Sequence, residues 1–117
     1  MKLGIHDLLP LSDGETTQER YQRTIEMVQA LETIGYDRYW ASEHHGARHL
    51  ASSAPEIFLA YLASRTSKIR LGTGGTMIVN YSPLRVAEIF KTLTLLAPDR
   101  IDLGLSLIHI SERAGKA

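Results

Sequence analysis

The sequence predicts an α/β fold, namely the N-terminal half of a (β/α)8 TIM barrel with about four strands and three helices. Short apolar runs alternate with longer amphipathic segments at a repeat of roughly 30 residues, which is the length of a β-α-β unit with parallel strands. No glycine-rich phosphate loop follows the first apolar run, as a doubly wound sheet would favour. A whole barrel needs about 200 residues or more. This chain has 117 residues, so we expect an incomplete barrel.

The composition limits which binding partners and which cellular location are expected for the protein. Thirteen Lys and Arg balance thirteen Asp and Glu, so no long-range charge favours nucleic acid or an anionic membrane. The absence of cysteine excludes disulfides and thiolate metal ligands. The N-terminus lacks the apolar core of a signal peptide, and no run of about 18 apolar residues occurs. We expect a cytoplasmic protein without a nucleic-acid or membrane partner.

The first two strands flank the first helix. Residues 2–6 form a short apolar run that predicts a strand, and the aromatic-rich residues 38–42 predict the next one. Between them, residues 17–34 show helical spacing, with Thr16 or Thr17 as the N-cap and Gly35 after the last turn. The predicted apolar stripe consists of Ile25, Val28, Leu31 and Ile34. The charged residues assigned to solvent are Glu19, Arg20, Arg23 and Glu26.

Two prolines mark the starts of the other helices. Pro55 opens the second helix, with Ser52 and Ser53 as candidate caps, and Pro83 lies near the start of the third. The apolar residues expected to face inward are Ile57, Phe58, Tyr61 and Leu62 on the second helix and Val86, Ile89, Phe90, Leu93 and Leu96 on the third. Residues 69–73 and 100–105 predict the third and fourth strands.

The last thirteen residues, LSLIHISERAGKA, do not continue the apolar pattern. The string resembles the conceptual translation of a sequencing adapter. We therefore expect residues 1–104 to form the barrel domain and residues 105–117 to be a non-native tail, which we exclude from functional interpretation.

Three polar residues, Glu43, His44 and His45, follow the second predicted strand, where barrel enzymes hold reactive groups. Adjacent residues at a strand end point in opposite directions, so one histidine can face the barrel mouth while the other braces the loop. A neutral imidazole suits general acid–base catalysis, although both rings could instead hold the loop together. Glu43 is either an acceptor that orients a neighbouring side chain or a structural ion-pair partner. Neighbouring histidines do not converge on zinc, so no metal site is predicted.

Gly74 and Gly75 follow the third predicted strand. Without side chains there, a flat ring could lie against the backbone and a cis peptide is tolerated, or the pair forms an ordinary bulge. Thr76 comes next in the chain. On the second strand Tyr39 and Trp40 point to opposite faces, and core packing is expected for one of them.

In combination, four motifs resemble those of the bacterial luciferase-like, flavin-dependent monooxygenases, and in particular their single-subunit oxidoreductases. The motifs are W-x-x-E-H-H, T-S-x-I-R-x-G-x-G-G, Y-S-P-L-x-V-A-E and P-D-R-I-D-L-G-L, and the resemblance covers residues 1–104. It implies a (β/α)8 barrel that takes FMN, reduced by a separate flavin reductase, and uses O2 to oxygenate a small-molecule substrate. A homodimer is also implied.

The resemblance also implies roles for single residues. His44 matches the acid/base histidine beside the flavin, and Glu43 and His45 match supporting neighbours. Gly74 and Gly75 match the bulge where relatives carry a cis peptide against the flavin ring. Trp40 and Thr76 would lie near the cofactor.

Other functions remain open at this stage. Deazaflavin-dependent reductases share the barrel and transfer hydride, and a half barrel could self-associate without catalysis. A metal hydrolase would need His-x-His on the first strand, where this chain has His6 and Asp7. The family's FMN phosphate is held by later strands and loops, so we expect this chain by itself to lack activity. The substrate is not predicted.

Overall fold

The computed structural model describes residues 1–106, apart from the side chain of Val79. Most of the predicted tail, residues 105–117, therefore lies outside the described residues. The strands are β1 (Gly4–Asp7), β2 (Arg38–Ala41), β3 (Arg70–Thr73) and β4 (Ile101–Asp102). The helices are α1 (Thr17–Thr33), α2 (Pro55–Arg65) and α3 (Pro83–Leu96), with a 3-10 turn at Ile78–Asn80.

The four strands form one parallel sheet in the order β1-β2-β3-β4. Each strand lies beside the preceding one in sequence, whereas a doubly wound sheet reverses its order at a switch point. Ala41 at the end of β2 pairs with Asp7 on one side and Thr73 on the other. These three residues define what we call the carboxyl edge. The sheet has half the strands of a (β/α)8 barrel, which confirms the predicted fold class.

The two faces of the sheet differ because alternate side chains point to opposite sides. Tyr39 and Leu71 are fully buried in the core that the helices share with the sheet. Arg38 and Trp40 lie on the other face, called here the inner face, and are only partly buried. The helices contribute to the core Ile25, Val28, Leu31, Phe58, Leu59, Leu62, Val86, Phe90 and Leu93. Each such side chain stabilises the fold by about 1.5–3 kcal/mol through burial.

Asp102 joins three strands across the inner face. Its Oδ2 accepts a hydrogen bond from Trp40 Nε1 at 3.2 Å, and its Oδ1 accepts from Arg70 Nε and Nη2 at 3.1 and 2.7 Å. Burial alone would raise the pKa of Asp102, but the hydrogen bonds from Arg70 and Trp40 and the charges of Arg70 and Arg38 hold it below its ordinary value. The carboxylate is therefore charged in the folded chain near neutral pH.

The first helix starts and ends as the sequence predicts. Thr16 and Glu19 form a reciprocal capping box, and Gly35 follows the last turn with φ +97°. The prediction that Arg20 faces solvent was wrong, because its side chain is only 11% exposed and its Nη2 lies 3.5 Å from Asp7 Oδ1. The prediction that Ile34 belongs to the buried stripe was also wrong. Ile34 is the C-cap residue and is 70% exposed, and the buried stripe ends at Leu31.

The second helix departs from the prediction in its cap. Ala54 is the N-cap and makes no side-chain hydrogen bond, so the predicted serine caps were wrong. Ser52 is buried and its hydroxyl turns towards the segment that follows β2.

The buried faces of α2 and α3 are narrower than predicted. Leu59 is fully buried, so the inward face of α2 centres on residues 58, 59 and 62, and Ile57 and Tyr61 lie to its side with 70% and 47% exposure. On α3, Leu96 in the last turn is 65% exposed. No helix within residues 1–106 is long and apolar enough to cross a membrane.

The fourth strand is shorter than the predicted residues 100–105. Only Ile101 and Asp102 pair with β3. Beyond them Gly104 leaves the ladder, and its carbonyl accepts a hydrogen bond from Thr76 N–H at 2.6 Å. The chain after β4 therefore runs against the loop that follows β3.

Glu32 in the last turn of α1 fixes the connection between α2 and β3. Its Oε2 accepts the backbone N–H groups of Ser67, Lys68 and Ile69. Burial alone would raise the pKa of Glu32, but these three hydrogen bonds and the charge of Arg100 hold it below its ordinary value.

We expect Glu32→Gln to reduce the free energy of unfolding at pH 7 by about 1 kcal/mol, since the group is partly solvent-screened. A carboxylate with a lowered folded-state pKa stabilises the fold above its unfolded pKa, and this contribution is lost as pH falls through the folded value. The variant should therefore lose less stability than the unsubstituted chain between about pH 5 and about pH 3. Urea unfolding followed by Trp40 fluorescence measures both effects. Glu26→Gln, on the exposed side of α1, is the matched control, and equal acid sensitivity of all three proteins would contradict the assignment.

We expect Gly72→Ala to destabilise the sheet by about 1–3 kcal/mol through overpacking. A Cβ at Gly72 would lie 2.7 Å from the Asp102 carbonyl oxygen and 2.9 Å from Trp40 Nε1, so the tryptophan must leave Asp102. Trp40 is the sole tryptophan of the chain, and its emission spectrum reports this displacement. Gly4→Ala is the control, because its Cβ would meet the flexible Arg38 side chain at 3.3 Å. Unchanged emission in Gly72→Ala would contradict the expectation.

Candidate active site

The carboxyl edge brings together the two polar segments singled out in the sequence. The segment after β2 begins directly beyond Ala41, and the segment after β3 begins directly beyond Thr73. These two residues are paired, so Glu43, His44 and His45 lie beside the loop that starts with Gly74. This juxtaposition follows from two neighbouring parallel strands that end at the same level.

Glu43 is a buried side chain to which several neighbouring residues at the carboxyl edge are hydrogen-bonded. Its side chain has no solvent exposure. The Oε2 atom accepts a hydrogen bond from the Tyr81 hydroxyl at 2.7 Å and lies 2.6 Å from His45 Nε2. The Oε1 atom faces the backbone N–H of Met77 at 3.4 Å. Both interpretations left open by the sequence apply, because Glu43 orients a histidine and is also its ion-pair partner when that histidine is protonated.

The two adjacent histidines have different partners. A carboxylate only accepts hydrogen bonds, so His45 carries its proton on Nε2 towards Glu43. His44 uses its other nitrogen, with Nδ1 lying 3.1 Å from Ser42 Oγ and 3.4 Å from Ser52 Oγ. Its backbone N–H also donates to the Ser52 carbonyl. Within residues 1–106, no hydrogen bond engages His44 Nε2, which leaves that atom able to take or give a proton.

The Gly74–Gly75 peptide bond is cis, as the resemblance implies. A Cβ at Gly74 would lie 3.1 Å from the His6 ring and 3.3 Å from Trp40 Cε3, and one at Gly75 would lie 2.8 Å from the Leu105 carbonyl carbon. Close neighbours therefore leave no free room for side chains at these two positions. His6 and Trp40, which pair across β1 and β2, place two aromatic rings beside this backbone.

Thr76 takes a bracing position. It is buried, and its hydroxyl lies 2.8 Å from that of Thr73. Its backbone N–H donates to Gly104. The hydroxyl and the backbone of Thr76 are thus both engaged inside the protein, so Thr76 braces the loop that follows β3.

Two residues important to the site had no assigned role in the sequence analysis. Tyr81 is separated from Glu43 by 38 positions, and Asp102 is separated from Trp40 by 62. The Y-S-P segment marks Tyr81 as the residue two before α3, which is the only local signal for it. Among residues 1–106, no three His, Asp or Glu side chains come together in a group that could hold a metal ion.

A groove of about 720 Å³ lies between α1 and α2 and is lined by residues of these two helices and by Ala54. Its lining is mostly apolar and includes Tyr21, Ile25 and Phe58. Its one carboxylate, Glu19, is engaged in the helix cap. The groove has no acid–base group comparable to those around Glu43, so the carboxyl edge is the candidate active site.

Comparison with known proteins finds similarity over the described part of the chain. A family model described as luciferase-like monooxygenase matches residues 1–106. N-acetyl-S-alkylcysteine monooxygenase of Bacillus subtilis (strain 168) is 47% identical over 105 residues, which are 90% of this chain and 31% of that protein. The crystal structure of apo-MsnO8 has a TM-score of 0.86 and 45% identity, covering 89% of this chain and 31% of its own.

Two more distant structures share the fold alone. The oxygenating constituent of 3,6-diketocamphane monooxygenase from Pseudomonas putida, solved with FMN, has a TM-score of 0.84 and 20% identity over 91% of this chain and 29% of its own. An F420-dependent secondary alcohol dehydrogenase has a TM-score of 0.73 and 21% identity over 89% of this chain and 31% of its own. The chain spans about a third of the length of the curated relatives it matches. With its family model matching nearly the whole described chain, this protein belongs to the luciferase-like monooxygenase family.

Proposed function

We propose that residues 1–104 supply the acid–base group and part of the flavin-binding wall of an FMN-dependent monooxygenase. The observation that carries this proposal is that His44 and the cis Gly74–Gly75 peptide follow two paired strands, β2 and β3, at the same edge of the sheet. When bound in its reduced form, FMN supplies the electrons that activate O2, so that one oxygen atom enters the substrate and the other leaves as water.

The acid–base role is assigned to His44. Its Nδ1 is held by two hydroxyls, which fixes the ring and turns Nε2 away from the loop. A fixed imidazole with one free nitrogen can hold a proton and pass it to or from a reacting oxygen. His45 and Glu43 support this geometry, because their contact immobilises the residue next to His44.

The residues around Gly74 and Gly75 fit a flat aromatic cofactor. The His6 and Trp40 rings lie next to Gly74, so two aromatic side chains flank the backbone of the proposed flavin-facing wall. Trp40 is held in place by its hydrogen bond to Asp102. We assign Gly74, Gly75 and Trp40 to the flavin-facing wall, with Thr76 bracing the loop behind it.

Relatives favour FMN over F420. The relative with 47% identity is named a monooxygenase, whereas the F420-dependent structure shares only the fold, at 21% identity. The name of that relative makes a small molecule with an S-alkyl group the first substrate class to assay. O2, a separate flavin reductase and a second copy of the protein complete the proposed set of partners.

A chimera tests the proposal, with residues 1–104 in place of the matching segment of the Bacillus subtilis N-acetyl-S-alkylcysteine monooxygenase. We expect the chimera to bind FMN and to oxygenate an N-acetyl-S-alkylcysteine. His44→Gln should lower kcat about 10²- to 10⁴-fold, the range for loss of a general acid or base. FMN binding, measured by fluorescence, should stay within about twofold, because the proposed flavin-facing wall consists of Gly74, Gly75 and Trp40 and is unchanged by the substitution.

His49→Gln is the matched control, since His49 is an exposed histidine of the same loop and its loss should leave kcat unchanged. Full turnover by the His44→Gln chimera would overturn the acid–base role. A folded chimera that binds no FMN would overturn the flavin assignment.

A further inference from the structure

Tyr81 approaches the candidate site through a single contact with Glu43. It is the last residue but one before α3 and is half-buried. Its hydroxyl donates to Glu43 Oε2 at 2.7 Å. The same oxygen lies 2.6 Å from His45 Nε2, so two donors from different loops share one acceptor atom.

We propose that Tyr81 is a positioning residue that acts on His45 through the shared Oε2 atom of Glu43. This inference rests on the proposed function in one respect, because it assigns Tyr81 a task within the same acid–base site. It adds a residue from the segment before α3 to Glu43 and His45, which come from the segment after β2.

The energetic argument starts from the burial of Glu43. A carboxylate without solvent exposure must have its charge satisfied by donors within the protein. Its Oε1 has only a long contact of 3.4 Å with Met77 N–H. The two short bonds to Oε2 therefore fix the rotation of the carboxylate, and one of the two comes from Tyr81.

Two donors that share one acceptor oxygen also weaken each other's hydrogen bonds. The Tyr81 hydroxyl draws electron density from Oε2, so less is available to the His45 Nε2–H bond. Removal of that hydroxyl should shorten and strengthen the remaining bond to His45. Removal of the carboxylate should abolish it. Tyr81 thus sets how firmly the proton on His45 Nε2 is held, and with it the orientation of the ring.

Tyr81 keeps its donor role near neutral pH. Burial raises the pKa of Tyr81 above its ordinary value, and the hydrogen bond to Glu43 and the charges of Glu43 and Glu56 raise it further. Glu56 lies in the first turn of α2 and lines a small cavity together with Tyr81. The remaining ionisable side chains of the loop between β2 and α2 are His44, Arg48 and His49.

NMR of the full chain with isotope-labelled histidine and tyrosine tests the proposal. In Tyr81→Phe we expect the His45 Hε2 resonance to move downfield, because a stronger hydrogen bond deshields its proton. In Glu43→Leu, which has no acceptor at this position, we expect that resonance to be lost through exchange with water. Tyr61→Phe is the matched control, since it removes an exposed hydroxyl that accepts a hydrogen bond from Arg65 of the same helix, and it should leave His45 unchanged.

A second measurement needs no substitution, so it stands even where Tyr81→Phe fails to fold. In the unsubstituted chain, the Tyr81 ¹³Cζ resonance should move in step with the protonation of His45, because both groups bond to the same oxygen. A His45 resonance in Tyr81→Phe that matches Tyr61→Phe would overturn the proposal. So would a Tyr81 resonance that ignores the protonation of His45.

These readouts are independent of flavin. Failure of the NMR coupling removes the role of Tyr81 and leaves the flavin assignment in place. Failure of the chimera to bind FMN removes the proposed function and leaves the link between Tyr81 and His45 measurable.

Discussion

The buried carboxylate of Glu43 is the constraint on which the carboxyl edge depends. An ionised carboxyl group can be buried only if hydrogen-bond donors replace its water. The donors here come from His45 after β2, from Met77 after β3 and from Tyr81 before α3. Because one side chain needs all three, the two loops cannot move independently. The backbone at Gly74 and Gly75 is thereby held at a fixed place beside the histidines.

On the inner face of the sheet, a second carboxylate, that of Asp102, also links side chains from neighbouring strands. Asp102 binds Arg70 and Trp40, and Gly72 leaves the space in which these three side chains meet. On the opposite face of the same strands Tyr39 and Leu71 are fully buried among helix residues. The alternation of a β-strand thus separates an apolar face that stabilises the fold from a polar face that positions an aromatic ring near the candidate site.

Local patterns in the sequence predicted the elements well because their causes are local. Apolar spacing and the capping of α1 by Thr16 and Glu19 need no distant partner.

The errors arose where tertiary contacts determine the position of a side chain. Arg20 fits a solvent-facing position by spacing alone, yet Asp7 draws it to the sheet. Ser52 has the chemistry of a cap, yet it lies against His44. The motif after β2 contains Glu43 itself and so predicts the candidate site, whereas the Tyr81 partner of Glu43 lies 38 residues away and no local pattern indicates that contact.

Adjacent histidines become distinct because their partners engage different nitrogens. Ser42 and Ser52 hold His44 at Nδ1 and leave Nε2 free, whereas Glu43 holds His45 at Nε2 and leaves Nδ1 on the other side of the ring. Two rings next to each other in the chain therefore present opposite nitrogens. The partners of His44 are neutral hydroxyl groups, so its ring is not bonded to a buried charge. The ring of His45 is bonded to the buried carboxylate of Glu43. The environment set by Ser42, Ser52 and Glu43, rather than the residue type, is what makes the two histidines chemically different.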